Sequence, residues 1–291
     1  MSFLEGVLVQ VLILAIVTQG VFVITGLTGL FSLGQASFVA AGAYTAGVLA
    51  LRLQWPFFSC LLGGILAAVL ISIIIGLPSL RLRNVYFSLA TIAFCYGLES
   101  ILNVSTDLFG GAIGLIGVPT VTRWWHALVA LISVYLLIRF FRLSRYGRAC
   151  VSIRTDEVAA QSYGINTMLN KQIAFSLSAA VAGLAGGLLV FYIGYISPDM
   201  FGVPISSEYL IIVFFGGLYS QGAVLIGTVF LTLLMELLRT ANELRVVIYS
   251  TIILGIIIFQ PTGLYGIFDR LRRKFFTPSQ TGPGIKEGTK Q

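Results

Sequence analysis

Charge is what this chain has least of. Only 10% of its 291 residues are Asp, Glu, Lys or Arg, against 57% hydrophobic, and the mean hydropathy is +0.97. A water-soluble domain needs roughly a quarter of its residues charged to keep its surface solvated, so soluble enzymes and DNA-binding modules are excluded. A membrane protein with many crossings remains. Histidine occurs once, at His126, and the three cysteines, Cys60, Cys95 and Cys150, show no Cys-x-x-Cys spacing. That argues against a disulfide framework, a zinc site or a Ser-His-Asp triad, and no metal or cofactor is expected. The phosphate-loop pattern Gly-x4-Gly-Lys-Ser/Thr is also missing, so the chain is expected to be no enzyme and to hydrolyse no ATP itself. Glu99 and Glu236 fall near the ends of apolar stretches, where snorkelling or ion pairing serves them better than a proton relay does.

Long apolar runs are what is present. A helix needs about 20 apolar residues to cross about 30 Å of hydrocarbon, with every backbone group bonded inside it. That ruler predicts an all-α polytopic transmembrane bundle with spans near Val7–Thr25, Ala36–Leu51, Phe57–Leu77, Val85–Leu102, His126–Phe141, Gln172–Ile196, Ala223–Leu238 and Val246–Phe259. The first is read as a retained span, because no basic segment and cleavage motif accompany it. The stretch Glu208–Gly217 is short and runs into Gly216, Gly217 and Gly222, as a half-helix or re-entrant piece would.

The formal net charge of +7 would suggest nucleic acid in a soluble protein. In a membrane protein basic residues also set topology, so lipid and no nucleic acid is the expected partner. Six basic residues lie between Arg139 and Lys171 and six more from Arg270 onward, 12 of 18 in all. Both segments are expected in the cytosol. An even number of crossings must separate them, so Glu208–Gly217 counts as a pass. The total is about nine, with the N-terminus outside and Asp107, Asp199 and Glu208 in outer loops. A transmembrane domain over residues 1–275 is expected, followed by a disordered cytosolic tail over 276–291, where Gly, Pro, Thr and Lys leave little to bury.

The longest polar stretch, residues 142–172, carries most of the interpretable chemistry. Ser152–Ser162 reads as a short amphipathic helix, with Ala159 and Ala160 leaving its surface flat for another protein. Gly164 is placed to end it in the left-handed conformation. An ordinary solvated loop is the alternative. Ordered loops of this length more often have a task.

Tyr146-Gly147-Arg148-Ala149 followed by Ile153-Arg154-x-Asp156-Glu157-x-Ala159-Ala160-x3-Gly164-Ile165-Asn166 closely resembles the cytoplasmic loop of permease subunits from branched-chain amino acid ABC importers, the LivM type in particular. Three further motifs match in order: Gly26-Leu27-x-Gly29-x2-Ser32-Leu33-Gly34-Gln35-Ala36, Leu82-Arg83-x2-Tyr86-Phe87-x3-Thr91-x-Ala93-Phe94, and Phe215-Gly216-Gly217-Leu218-x-Ser220-x-Gly222. The resemblance runs from about residue 10 to 265 and departs at Asn84 and Gln221, where the family usually has Gly and Trp. It implies a bacterial inner-membrane permease. The implied partners are a second homologous permease, two ABC ATPase subunits docking on the loop, and an extracytoplasmic substrate-binding protein. Gly147, Arg148, Arg154, Asp156, Glu157, Ala160 and Gly164 are implied as the docking element. Urea, short amides or another small solute remain open as cargo, and so does a stand-alone channel or carrier.

Glycines in these motifs allow close helix packing or an unwound segment along a translocation path. On the second reading Gly34, Gln35, Tyr86, Thr91, Gly217 and Ser220 line that path, with Gln35 offering hydrogen bonds to a zwitterion. Gly29-Leu30-Phe31-Ser32-Leu33-Gly34 is echoed by Gly217-Leu218-Tyr219-Ser220-Gln221-Gly222, which suggests matching breaks in two repeats.

Overall fold

The structure is a computed structural model that describes residues 3–82 and 84–238, together with Thr251 and Leu254. The predicted span Val246–Phe259, the basic tail and residues 276–291 therefore lie outside the described residues, Thr251 and Leu254 apart. Helices α1 (Phe3–Val21), α2 (Gln35–Arg52), α3 (Phe57–Ser79), α4 (Asn84–Val104) and the short α5 (Thr106–Phe109) come first. A two-residue strand β1 (Leu115–Ile116) precedes α6 (Trp124–Leu143), α7 (Arg145–Thr155), α8 (Glu157–Ser162) and α9 (Thr167–Ile193). Strand β2 (Tyr195–Ile196), α10 (Val203–Gly216) and α11 (Gln221–Leu237) complete the order.

Six stretches among the described residues are long and apolar enough to cross a membrane: Glu5–Leu27, Phe57–Ser79, Val85–Val104, Trp124–Leu143, Thr167–Ile193 and Pro198–Gly216. The predicted count of nine is not reached among these residues. The span predicted at Ala36–Leu51 is the helix α2, but its Ala, Gly, Ser and Gln content keeps it out of the six, and most of its residues are buried inside the bundle. The stretch predicted at Glu208–Gly217 begins earlier: a 3-10 turn over Pro198–Phe201 leads into α10, which places Glu208 inside a helix instead of in a loop. The span predicted from Gln172 likewise begins at Thr167, capped by Asn166. Its first turns bury Asn170 and Lys171, polar residues that hydropathy alone assigns to the loop.

Strands β1 and β2 pair antiparallel, Leu115 opposite Ile196 and Ile116 opposite Tyr195, and close one end of the bundle. Helices α7 and α8 form the other end. Tyr192, late in α9, donates to the Gly6 carbonyl, whereas Ser178, midway along α9, donates to the Gly20 carbonyl, so α1 runs antiparallel to α9 toward the α7–α8 end. Gln35 bonds Ser178 while Gly47 sits beside Val190, so α2 starts halfway along α9 and runs toward the strand end.

Helices α2, α3 and α9 meet backbone to backbone. A Cβ on Gly42 would lie 2.2 Å from the Gly183 carbonyl oxygen, and one on Gly64 would lie 2.7 Å from the Gly42 oxygen. Small residues permit this approach, and dispersion and weak polar contacts along it replace the hydrophobic drive that lipid does not supply. Outward faces are apolar instead: Leu62, Leu66, Leu70 and Ile74 on α3, and Val129, Ile132 and Phe140 on α6, are exposed. An aqueous surface does not carry such patches.

Gly42→Leu is expected to cost more than the about 1–3 kcal/mol of ordinary core overpacking, because backbone atoms of α9 and not a movable side chain block the way. Gly97→Ala, on the exposed face of α4 with nothing within 4 Å, is the matched control. Thermal unfolding in detergent should separate them, the first variant losing its folded fraction and the second matching the parent.

Candidate functional site

The polar stretch after α6 folds into two helices where the sequence predicts one over Ser152–Ser162. The break is Asp156, whose extended backbone (φ −156°, ψ 111°) ends α7 and whose carboxylate accepts from the backbone N–H groups of Val158 and Ala159, 2.9 and 3.0 Å away. The amphipathic pattern runs on through this position; the Asp N-cap interrupts it, because a carboxylate that satisfies two orphan N–H groups starts a new helix. Ser144 caps α7 in the same way, accepting from Gly147 N–H. At the far side Gly164 takes φ +78° and Ile165 N–H reaches back to the Ala160 carbonyl, which closes α8.

Most of the seven residues expected to dock on a partner are engaged within the chain. Gly147 sits in the sharp turn from α6 to α7, where a Cβ would lie 2.2 Å from the Phe141 oxygen. Arg148 donates to the Leu143 carbonyl at the end of α6. Glu157 pairs with Lys171, whose side chain is 7% exposed against 42% for the glutamate, so this ion pair ties α8 to α9. Ala160 is buried, facing the bundle. Arg154 turns inward: its Nη1 donates to the carbonyls of Gly26 and Leu218, and its guanidinium carbon stands 4.3 Å from the centre of the Tyr219 ring.

What faces outward on α8 is a different set. Val158 is 73% exposed and Tyr163, just past the helix, is 87% exposed, with Ala159 and Ser162 exposed on the same short element. Sequence reasoning missed Val158 and Tyr163 because a six-residue helix is too short for a hydrophobic period to register. The available signal was that, between Asp156 and Gly164, Val158 and Tyr163 are the two apolar or aromatic side chains larger than alanine.

Residues expected along a path separate into three places. Gly34, Gln35 and Thr91 lie together in the interior. Leu33 N–H donates to Thr91 Oγ1 at 3.1 Å, and a Cβ on Gly34 would meet the Thr91 carbonyl at 2.9 Å. Gln35, 1% exposed, donates from Nε2 to the backbone oxygen and hydroxyl of Ser178 at 3.2 and 3.1 Å, so in this conformation its amide serves α9. Gly217 (φ +109°) and Ser220 occupy the turn from α10 to α11, beside Arg154. Tyr86 is 66% exposed on the outward face of α4, turned away from buried Phe87 and Thr91.

Cys150 is buried in α7, its thiol directed at the Asn170 carbonyl, and burial pushes its pKa up to about 12. Among the described residues no group of three or more His, Cys, Asp or Glu side chains is placed to hold a metal.

A family model described as branched-chain amino acid transport system / permease component matches residues 3–260. The chain belongs to this family. It is 30% identical to the high-affinity branched-chain amino acid transport system permease protein LivM of Escherichia coli strain K12, across 87% of this chain and 68% of that one. The LivM protein of Salmonella typhimurium strain LT2 is 31% identical over the same shares. LivH of Escherichia coli K12 is 30% identical across 48% of this permease and 46% of its own length. These relatives are permease subunits, and this family member is a multi-pass membrane protein built from helices.

Two outcomes check the geometry of the α7–α8 pair. Removing the anion by Glu157→Ala strands a buried ammonium. The cost is about 1–2 kcal/mol, below the full buried-pair penalty because the glutamate is part-exposed. Adding Lys171→Met should recover most of it, so the two changes are non-additive in a thermal-shift cycle. Cys150 should resist maleimide in the folded protein and react once detergent denaturation exposes it, since a thiol held up to about 12 offers almost no thiolate near neutral pH.

Proposed function

We propose that this permease is the membrane-spanning subunit of an ATP-driven importer for branched-chain amino acids in a bacterial inner membrane. It has no ATPase site of its own. It works as a pair with a second homologous permease, takes substrate from an extracytoplasmic binding protein, and is driven by two ATPase subunits seated on the α7–α8 end. The observation that carries this reading is the exposed pair Val158 and Tyr163 on a helix braced from inside by Asp156, Ala160 and the Glu157–Lys171 ion pair. A rigid element with an apolar tip suits transmission of force from a partner, since buried aromatic anchors carry most of an interface's energy.

The α7–α8 end is cytosolic in this proposal, because Arg139, Arg142, Arg145 and Arg148 cluster there. The N-terminus and the β1–β2 pair then face outward, and nine passes over residues 1–275, with 276–291 as the tail, satisfy the charge distribution. Gly34, Gln35, Gly217 and Ser220 belong to backbone breaks that move during the cycle, and Thr91, on α4, bonds the first of them. Tyr86, on the outward face of α4, is the one of the six that meets solute, at the seam between the paired permeases.

Val158→Asp combined with Tyr163→Asp tests the docking surface. Both side chains are exposed, so membrane insertion and thermal stability should match the parent. Co-purification of ATPase subunits and uptake of radiolabelled leucine should each fall by at least about tenfold, as the loss of one interface hot spot produces. An intact complex with normal uptake would refute the docking assignment.

A further inference from the structure

Among the arginines of the α6–α9 connection, Arg145 and Arg148 bond close to home, to Tyr146 and Leu143, while Arg154 reaches two segments far away in sequence. One is the end of α1. There the helix widens into a π-turn over Phe22–Leu27, after which Gly29 takes φ +75° and the chain stays unwound until Gln35. The other is the turn from α10 to α11, where Gly217 takes φ +109°. Carbonyls at a helix end or in a turn have no partner within a helix, and Arg154 supplies one to each of two: Gly26, at the end of the π-turn, at 2.5 Å, and Leu218, in the α10–α11 turn, at 3.2 Å. Hydrogen bonds from a guanidinium are the strong, charge-assisted kind.

Three further features fit the same junction. A Cβ on Gly29 would come within 3.0 Å of Arg154 Cγ, so the missing side chain there makes room for the arginine stem. Tyr219, itself exposed, covers the guanidinium face with its ring, a cation–π contact of the kind arginine makes most often. Phe31, from the first unwound segment, stacks on Phe214, from the last turn of α10, with ring centres 5.6 Å apart and planes at 22°. The first unwound segment is thus joined to the last turn of α10 through Phe31 and Phe214, and it and the α10–α11 turn are both tied to α7 through one side chain.

We propose that Arg154 is a positioning residue of the transport cycle, a clamp that makes both backbone breaks follow α7, so that displacement of the docking helices reaches the two gates together. This rests on the importer reading above. A lysine at this position could keep one charge-assisted bond but lacks the planar fork that holds two carbonyls and stacks on a ring.

The test uses the assembled transporter, with permease pair, ATPase subunits and binding protein, in proteoliposomes. In Arg154→Met the complex should still form and hydrolyse ATP, while leucine moved per ATP consumed falls at least about tenfold. Arg154→Lys should recover part of that ratio, and Tyr219→Leu should lower it in the same direction by less. A merely structural arginine would reduce complex yield, melting temperature and uptake in parallel and leave the ratio unchanged, and that result overturns the proposal. So does an Arg154→Met transporter with parental coupling. Failure of the importer reading is distinguishable, because the parent chain would then neither assemble with ATPase subunits nor show ATP-dependent uptake.

Discussion

A backbone amide or carbonyl inside hydrocarbon must find a partner in the protein, and this structure is organised around the places where a helix does not provide one. The unwound segment between α1 and α2 is the main case. Its Leu33 N–H goes to Thr91 and its Phe31 carbonyl to Ser88, both on α4. Ala36 N–H goes to Ser206 on α10, and the Gly26 carbonyl to Arg154 on α7. Polar side chains from three helices stand in for a missing turn. Each also fixes the helix that carries it.

This dependence assigns roles that composition alone leaves ambiguous. Thr91 and Gln35 are polar residues in apolar surroundings, which invites a reading as solute contacts. In the fold they are committed to backbone and to Ser178, so in this conformation they maintain the break. Glycine has two separate uses here. At Gly42, Gly64 and Gly183 it lets three helices touch along their backbones, and at Gly29 and Gly217 it lets the chain turn where a side chain would be strained. The first use makes α2, α3 and α9 one inflexible body. The second places turnable joints at its edge, both within reach of Arg154.

The sequence made the helical class, most helix positions and the family legible, because apolar runs of membrane length and four ordered motifs are long-range signals. It misjudged where charge meets structure. Span boundaries and the charge map place Glu208 and Lys171 in loops, yet Lys171 is neutralised by Glu157 inside the α8–α9 contact, a pairing across 14 positions that hydropathy cannot register. The α7–α8 break was hidden for a related reason: an aspartate within a helical pattern is either a surface residue or an N-cap, and only backbone geometry decides. The direction of Arg154 could not be read at all, because its acceptors are backbone carbonyls and carry no sequence signature. Gly26, Gly29, Leu218 and Arg154, which meet in the fold, all lie within the motif stretches.

A gate moved by another polypeptide has to be stiff where it is pushed and compliant where it opens. In the proposed assembly the push arrives at α8, which is held at its start by Asp156, at its inner face by Ala160 and along its side by the Glu157–Lys171 pair. Helix α7 continues that stiffness inward through buried Cys150 and Ile153. Compliance begins at the two unwound joints, whose backbone is bonded by side chains and not by helical turns, so a few hydrogen bonds can exchange without melting a span. Membrane helices broken in this way characteristically mark the moving and binding parts of transporters. In the clamp proposed above, the stiff part is tied to both compliant joints by the Arg154 guanidinium and its two carbonyl acceptors, an arrangement that would leave the apolar bulk inert and concentrate switching in a small polar junction.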